Sequence, residues 1–589
     1  MRTMKNETME YKTDLDKLRH SCSHVMAQAV KELWPDTQIT IGPAIEDGFY
    51  YDFDKKKPFT DEDLKRIEER MCQIIKRKPS FKQGFMSKEE ALKFFAGRHE
   101  DYKVELIHDI PDEKVSIYKT GEEFADLCKG PHVDNAGEIT AFKLLSVAGS
   151  YWRGDERKAR LQRIYGTCFL SQKDLEDYLK RLEEAEKRDH RKLGPQLDLF
   201  DFYHETAGAG LVFYHPAGAM LRKTIEDYLR EQHLKHEYQM VITPHILKGK
   251  LWEISGHAEH YKQNMYYFDV DEEPFAVKPM NCPGHILIYK SKLRSYNELP
   301  IRYFELGSVY RREKAGVLHG LLRVRGFTQD DAHIFCREDQ IESEVCQVIM
   351  FALEIMKDFG FKVVGKDIRF ELSTRPDDYI GSPEQWGMAT HALESSLQHM
   401  KLPYEINEGD GAFYGPKIDV KLKDALGREW QCATIQCDFA LPQRFGLNYI
   451  NNQGKEERLI MVHRAILGSI ERFIGMLVEH YGGAFPVWLA PTQAVIIPIR
   501  DEHRAYADRV KDDLQKGGLR VIIDQRNESL NKRIREGTIR KVPYLLIVGD
   551  KEAQANTIAV RRYGKGDQGA LEVQTFLRNV QEEVCLKES

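Results

Sequence analysis

Residues 304–335, FELGSVYRREKAGVLHGLLRVRGFTQDDAHIF, read as strand, loop and strand. Tyr, Phe and Val favour extended backbone, and the stretch from Gly316 to Gly320 gives the flexible connection of a hairpin. Arg311, Glu313 and Arg323 sit on and around that connection. A planar guanidinium can bond a phosphate or carboxylate bidentately, which an ammonium cannot. The segment therefore reads as an anion-handling ribbon, the alternative being a surface hairpin with ordinary charges.

The chain has 589 residues, beyond the ~250–300 at which a single core stops growing. A polar tail, 1–14, lacks the apolar run of a secretory signal. Residues 15–170 mix short strands and helices with a cluster of His and Cys. Residues 171–193 begin as a charged helical stretch free of Gly and Pro, broken at Gly194-Pro195. Residues 194–488 are rich in strands, aromatics and Gly turns, ending near Gly482-Gly483, Pro486 and Pro491. Residues 489–589 alternate strand (AVIIPI, LRVIID, YLLIVG) with helix, as a small α/β domain does. Hydrophobic residues make up 42% and charged residues 31%, as in a soluble globular protein. No apolar run reaches the ~18–20 residues of a membrane span. The ten scattered cysteines do not suggest a disulfide scaffold. A net charge of −6 means any nucleic-acid footprint must be local.

The 304–335 ribbon resembles motif 2 of class II aminoacyl-tRNA synthetases, and within them the threonyl-tRNA synthetases. An apolar helix face (Leu221, Ile225, Tyr228, Leu229), then the strand YQMVIT and Pro244, is similar to motif 1, which builds a dimer interface. HRAILGSIERFIGMLVEH (463–480), read as an amphipathic helix, resembles motif 3. The run 411–439, two strands flanking a turn at Ala425–Gly427, resembles the sheet floor beneath an adenylate. The resemblance covers about residues 15–589. It implies an α+β multidomain chain with a class II antiparallel-sheet catalytic core, an N-terminal α+β editing domain and a C-terminal α/β anticodon-binding domain.

The same resemblance assigns roles. Arg311 clamps the α-phosphate and carboxylate, Glu313 and Arg323 contact ATP, and Arg472 packs along a bent ATP. Cys282 (MNCPGH), His333 (DDAH) and His463 (VHRA) match zinc ligands, although their spacing alone would not mark a metal site. Cys336, His285 and His319 miss the family positions. One thiolate and two imidazoles suit Zn²⁺ and leave a position open, where threonine's amine and hydroxyl chelate and valine cannot. Gln329, Asp331, Tyr414, Lys417, Gln431 and Gln436 match the surrounding polar positions, and Lys417 joins Arg311 and Arg472 in the catalytic set. Mg²⁺ accompanies ATP.

Serine also has an amine and a hydroxyl, and one missing methyl group is worth only about 1–3 kcal/mol. A second, hydrolytic site is therefore expected. His20 and His24 lie on one helix face, and Cys128 and His132 repeat the spacing in DLCKGPHV. With SVAGSYWRGD (146–155) and YGTCF (165–169), these resemble the editing domain shared by threonyl- and alanyl-tRNA synthetases. In the alanyl branch the quartet holds zinc; in the bacterial threonyl branch the cleft works through positioned water and side chains. His20 would orient water or act as base, and Lys103 and Asp126 are further editing candidates. Only about fifteen residues precede this motif, too few for the ubiquitin-like domain of many bacterial relatives. That domain is either naturally absent or removed.

Residues 489–589 resemble the anticodon-binding domain of the threonine, proline, glycine and histidine enzymes. Six Lys or Arg against two Glu between Arg526 and Lys541 suit RNA phosphates. Asn527, Arg561 and Arg562 are the anticodon candidates. The implied partners are tRNA(Thr), ATP, L-threonine and a second copy of the chain, in the cytoplasm and without a membrane; the sequence leaves autoregulatory mRNA binding open. Rival readings are a prolyl or seryl enzyme, against which the Cys282/His333/His463 set argues, a non-catalytic RNA-binding paralogue, against which Arg311 and Arg472 argue, and a free-standing deacylase.

Overall fold

The computed structural model describes residues 13–587 apart from 156, 362–363 and 425–426. The first twelve residues of the expected tail, and Ala425 of the expected turn, thus lie outside the described residues. The chain forms two compact units, one up to Glu183 and one from Glu184 onward. All ten cysteines are unpaired, and no described helix is long and apolar enough to cross a membrane.

The first unit is built on helix α1 (Asp14–Leu33). Thr13 and Asp16 form a reciprocal capping box at its start, and every residue from Leu18 to Val30 is buried. The helix packs on an antiparallel sheet formed by β1 (Gly48–Asp54), β4 (Ala141–Tyr151) and β5 (Arg160–Phe169), with β5 between the other two. A smaller sheet contains β2 (Lys114–Thr120) and β3 (Phe124–Leu127). Its strand β3 leads into the loop that carries Cys128 and His132.

Helix α2 (Gln172–Arg188) buries only Leu175, as its charged sequence predicts. It ends before the expected break. Asp189 interrupts it and caps a new short helix, α3 (His190–Gln196), by accepting the Arg191 N–H at 2.8 Å. Gly194 and Pro195 lie inside α3. Gly194 is there because a Cβ would meet the Phe200 ring at 2.4 Å.

The second unit is organised by an eight-stranded sheet. After helix α4 (Pro216–Lys235) comes β6 (Gln239–Met240), which pairs parallel to β7 (Ile301–Tyr310). The YQMVIT strand is thus limited to two ladder residues. Strand β8 (Gly326–Cys336) pairs antiparallel with β7, completing the expected ribbon. The order continues through β13 (Ile460–Ala465), β12 (Glu429–Asp438), β11 (Lys417–Lys423), β9 (Ile368–Ser373) and β10 (Tyr404–Asn407). One face is apolar and packs on α6 (Ile341–Asp358), α7 (Pro383–His399) and α8 (Ile470–His480), with Ile334, Ile418, Val420, Ile435 and Val462 meeting Val348, Ala352, Leu393 and Phe473 in one core. Helix α5 (Cys282–Lys290) belongs to a second cluster with Tyr303, Phe335 and Met461.

Residues 463–480 are not one helix. His463, Arg464 and Ala465 complete β13, held between β8 and β12. The Ile466 and Leu467 amides donate to the buried Asp330 carboxylate at 2.8 and 3.0 Å, and Gly468 turns at φ +73°. Ser469 then caps α8 by accepting the Arg472 N–H at 3.1 Å. Cross-strand pairing here overrides helical periodicity.

In the last hundred residues, β15 (Val521–Ile523), β14 (Ala494–Pro498) and β16 (Tyr544–Val548) are parallel. Strands β17 (Thr557–Arg562) and β18 (Gly566–Glu572) follow antiparallel.

Gly218 lies inside α4, where alanine ordinarily gains about 1 kcal/mol over glycine. Here a Cβ would lie 1.8 Å from the Leu199 carbonyl oxygen. We predict that Gly218→Ala lowers the melting temperature, measured by circular dichroism, instead of raising it.

Candidate active sites

The sheet register sets one row of side chains on its polar face. Tyr303 pairs with His333, His333 with His463, His463 with Gln436, and Gln436 with Lys417. Directly opposed residues project to the same side, so β7, β8, β13, β12 and β11 each contribute one member. Cys282 comes to this row from the first turn of α5. One ligand atom each of Cys282, His333 and His463 lie within 4.8 Å of one another, and all three residues are buried.

Hydrogen bonds orient the two imidazoles. His463 Nε2 meets Asp438 Oδ2 at 2.8 Å. A carboxylate accepts, so Nε2 carries the proton and Nδ1 the lone pair. His333 Nδ1 lies 2.8 Å from His285 Nδ1, and His285 Nε2 lies 3.1 Å from Glu305 Oε2. His285 is therefore no ligand candidate set aside; it is the direct partner of His333. Burial pushes the Cys282 thiol well up, reinforced by Asp331 and Asp438. Burial also lowers His333, with His285 and His463 adding to the effect. A buried thiol, two imidazoles and two nearby carboxylates make a pocket suited to a cation.

Asp331 stands two residues before His333 on the same strand face and accepts from Asn281 Nδ2 at 2.9 Å. Tyr414 packs against His463 with ring centroids 5.5 Å apart, and Gln436 donates to the Gly415 carbonyl at 3.1 Å. Gln329 continues the same face of β8. Gln431 and Lys417 converge instead on Asp419, each at 2.5 Å. A bulge makes that possible: Val420 pairs with Ala433 but Lys421 with Gln431, so Cys432 is skipped and Gln431 returns to the polar face. Asp419, Asp438 and Glu305 carry no motif of their own, and their signal is the register of the sheet. Asn281 and His285 flank Cys282 in MNCPGH, but their partners Asp331 and His333 come from β8 and no spacing announces them.

Beside this pocket is a patch of opposite sign. Arg472 donates to the Leu322 and Gln431 carbonyls at 3.2 and 3.4 Å. Burial lowers its pKa; Arg311 and Arg323 lower it further, against Cys432 and Glu313. Glu313 accepts from Arg323 at 2.9 Å, while Arg311 bonds the Pro279 carbonyl at 3.3 Å. Three guanidiniums with one carboxylate among them leave a local excess of positive charge, suited to a polyanion.

In the first unit, His20, His24, Cys128 and His132 each offer an atom within 4.8 Å of the others. His20 Nδ1 donates to the Pro131 carbonyl at 3.1 Å, since a carbonyl can only accept. Its Nε2 lone pair then faces Cys128 Sγ at 3.4 Å. Ser21 spends its hydroxyl proton on the Lys17 carbonyl, so His132 Nδ1 donates to Ser21 Oγ at 3.1 Å and His132 Nε2 faces the same sulfur at 3.3 Å. Burial lowers His20 to about 4 and raises the Cys128 thiol to about 12. Lys103 and Asp126 form a buried ion pair at the edge of this cluster, with Tyr51 donating to Asp126 at 2.5 Å and His24 Nε2 3.8 Å from the same carboxylate oxygen. Gly130 has φ +74°, and a Cβ there would lie 2.3 Å from the Tyr118 hydroxyl oxygen.

In the C-terminal region the basic stretch is partly neutralised from within. Arg526 pairs with Asp524 and Glu536, Lys532 with Glu528, and Arg533 is buried. Arg562 binds Glu583 and Tyr544. Asn527 is exposed and Arg561 is half-buried at the neighbouring position of β17.

Comparison with known proteins matches residues 264–481 to the class II tRNA synthetase core domain (G, H, P, S and T). Residues 493–583 match the anticodon binding domain, and 115–165 the second additional domain of threonyl and alanyl tRNA synthetases. A threonine–tRNA ligase of Oleidesulfovibrio alaskensis is 57% identical over 94% of this chain and 85% of its own length. One from a Geobacter species is 56% identical over 96% and 88%. The solved RNA binding domain of threonyl-tRNA synthetase from Cryptosporidium parvum covers 67% of this chain and 98% of its own, at 41% identity and a TM-score of 0.63.

Burial alone would raise Glu305, but hydrogen bonds from His285 and Thr243 and the Lys278 charge hold it at about 2, below its ordinary 4.5. A depressed carboxyl stabilises the fold above its unfolded pKa, and that contribution is lost as pH falls from about 4.5 towards 2. Glu305→Gln should cost about 2–4 kcal/mol in urea unfolding at pH 7, with the gap from the parent narrowing below pH 4.5.

Proposed function

The chain belongs to the threonine–tRNA ligase family, and on that premise we propose that it activates threonine with ATP, transfers it to tRNA(Thr), and hydrolyses mischarged Ser-tRNA(Thr). The observation that carries the reading is the juxtaposition of a pocket suited to a cation and a cluster of guanidiniums, with Arg311 close enough to act on both Cys282 and Arg472. Activation needs a carboxylate oxygen to attack the α-phosphorus while the bond to the leaving diphosphate breaks. In this reading Arg311 holds both anions together, Arg323 and Arg472 hold the remaining phosphates with Glu313 beside them, and ATP is taken with Mg²⁺.

Cys282, His333 and His463 fit Zn²⁺ by donor type, and three protein donors leave a position open. Bound there, Zn²⁺ would supply a Lewis-acidic position for the amine and hydroxyl of a β-hydroxy amino acid. Asp331 serves as counter-charge to the amine, and Gln329 faces the carboxylate side. Tyr414 and Gln436 wall the pocket, and Asp419 fixes Lys417 and Gln431.

The first-unit cluster is assigned to editing. A neutral His20 with its lone pair on Nε2 can take a proton from water, and a thiol held up at about 12 is poorly suited to be a nucleophile. His24, His132, Lys103 and Asp126 shape the cleft. The last region is assigned to the anticodon, with Asn527 and Arg561 outermost. Exposed Met240, Ile242 and Ile246 near β6 support a homodimer through that region, and a cytoplasmic location accompanies the reading.

Three experiments test it. ATP–pyrophosphate exchange across the twenty amino acids should respond to threonine, and Cys282→Ser should abolish exchange and lower bound zinc; full activity of metal-free protein would overturn the zinc assignment. His20→Ala should leave charging intact while Ser-tRNA(Thr) accumulates. Because burial lowers His20 to about 4, deacylation of Ser-tRNA(Thr) by the parent should be flat between pH 6 and 8 (about 2 units or more above that pKa). A rise through pH 6.5 would exclude this His20 as the base.

A further inference from the structure

His190, at the start of α3, is fully buried and joins the β7–β8 loop to the end of α8. The Leu321 backbone N–H donates to its Nε2 at 3.0 Å. An amide can only donate, so that nitrogen carries the lone pair and the proton is on Nδ1. Nδ1 donates to Glu479 Oε1 at 2.6 Å, and the same oxygen accepts the His190 backbone N–H at 3.1 Å. The other Glu479 oxygen takes Arg428, which also binds Asp424. Asp189, His190 and Glu479 offer atoms close enough for a metal. Both ring nitrogens are already engaged, however, so the group works as a hydrogen-bond relay.

The relay ends on a peptide that matters elsewhere. Gly320, at φ +47°, has no room for a side chain: a Cβ would lie 2.1 Å from His190 Nε2. Leu321 is wholly buried. The next carbonyl, of Leu322, accepts from Arg472 Nε at 3.2 Å, and the next side chain is Arg323, paired with Glu313. On the other side is Gly475 of α8, whose Cβ would stand 3.1 Å from Leu321 Cβ and 3.2 Å from Leu322 Cδ2. The 320–323 peptide is therefore held at one amide by His190 while its next carbonyl holds Arg472.

We propose that His190, kept in its Nδ1–H tautomer by Glu479, is a positioning residue for the nucleotide site: it sets the peptide that aims Arg472 and carries Arg323. It touches no substrate. The inference rests on the reading that Arg472 and Arg323 bind ATP.

The test uses the full chain in threonine-dependent ATP–pyrophosphate exchange, varying ATP and threonine separately. An asparagine amide stands near the Nδ1 position and can serve Glu479 but does not reach Leu321; a glutamine reaches the Nε2 position and can accept the Leu321 N–H. Losing that hydrogen bond should raise KM for ATP about tenfold in His190→Asn, with KM for threonine changed less than about twofold. His190→Gln should stay within about threefold of the parent. A merely structural role would make the two variants equivalent, or make activity follow their melting temperatures, and either result overturns the proposal. Arg472→Lys serves as reference. If it raises KM for ATP while His190→Asn does not, the relay is excluded and the ATP assignment stands. If neither moves KM for ATP, the ATP assignment itself fails. Should His190→Asn not fold, Glu479→Leu, which removes the acceptor of the Nδ1 proton, is compared with Glu479→Gln, which keeps one: KM for ATP should rise in the first and not in the second, and equal values overturn the relay.

Discussion

The register of the central sheet is the constraint on which the rest depends. Strands β7, β8, β13, β12 and β11 pair antiparallel in succession, and around the His333–His463 pair they alternate between a face packed on helices and a face that carries the polar groups. A slip of one residue in any strand would exchange the two faces. It would put Ile334 or Val462 on the polar side and His333 or His463 into the packed layer of α6, α7 and α8. The apolar face therefore fixes the positions of the polar groups. The packing of Ile334, Val462 and Ile435 against those helices is what keeps two imidazoles directly opposed.

That arrangement creates a problem the fold answers with hydrogen bonds. Buried polar groups are costly unless partnered. His463 is held by Asp438, and His333 by His285, which Glu305 holds in turn. The two imidazoles are thus fixed through different nitrogens, Nε2 in one and Nδ1 in the other, so their remaining nitrogens can converge from strands whose side chains run side by side. The neighbouring arginines follow the opposite rule. Arg472 and Arg311 bond carbonyls in preference to carboxylates, which orients them without neutralising them. A polyanion arriving there would meet charge that is already aimed, the condition under which electrostatic stabilisation is most effective.

Local periodicity carried the sequence reading as far as nearest-neighbour chemistry reaches. The 304–335 ribbon, the buried face of α1 with His20 and His24 four apart, and the alternation of the last hundred residues are all properties of short windows. Three features were not legible, each for a definite reason. Residues 463–465 sit in a segment whose apolar spacing is helical, yet pairing on both sides makes them strand. The break after α2 depends on the Asp189 side chain capping a helix, and Gly194-Pro195, the stronger local signal, is explained by the Phe200 ring instead. The bulge at Cys432 has no sequence mark at all, but it alone brings Gln431 round to Asp419. Cys282, His333 and His463 follow from family motifs, whereas His285, only three residues beyond Cys282, misses the family positions, and its part as partner of His333 and Glu305 exists only once α5 packs on the sheet.

The two polar clusters treat the same side-chain chemistry differently, and the surroundings explain why. Around Cys282 the buried carboxylates Asp331 and Asp438 raise the cost of a thiolate until a cation is present. Around Cys128 the nearest carboxylate, Asp126, is already answered by Lys103, and two imidazole lone pairs face the sulfur instead. A thiol proton can be shared between those nitrogens without any metal, so this cluster is self-consistent as a set of neutral acceptors around one weak donor. The chelation proposed for the first cluster would draw on its unspent carboxylates, because a bound cation rewards a ligand bearing two donor atoms. The hydrolysis proposed for the second would draw on its neutrality, because a base that stays neutral across the working pH range must be shielded from charge. A single methyl group separates serine from threonine, too little for any one pocket to resolve. On the proposed reading the chain would meet that demand with residues of the same three types, by changing only where the neighbouring carboxylates are spent.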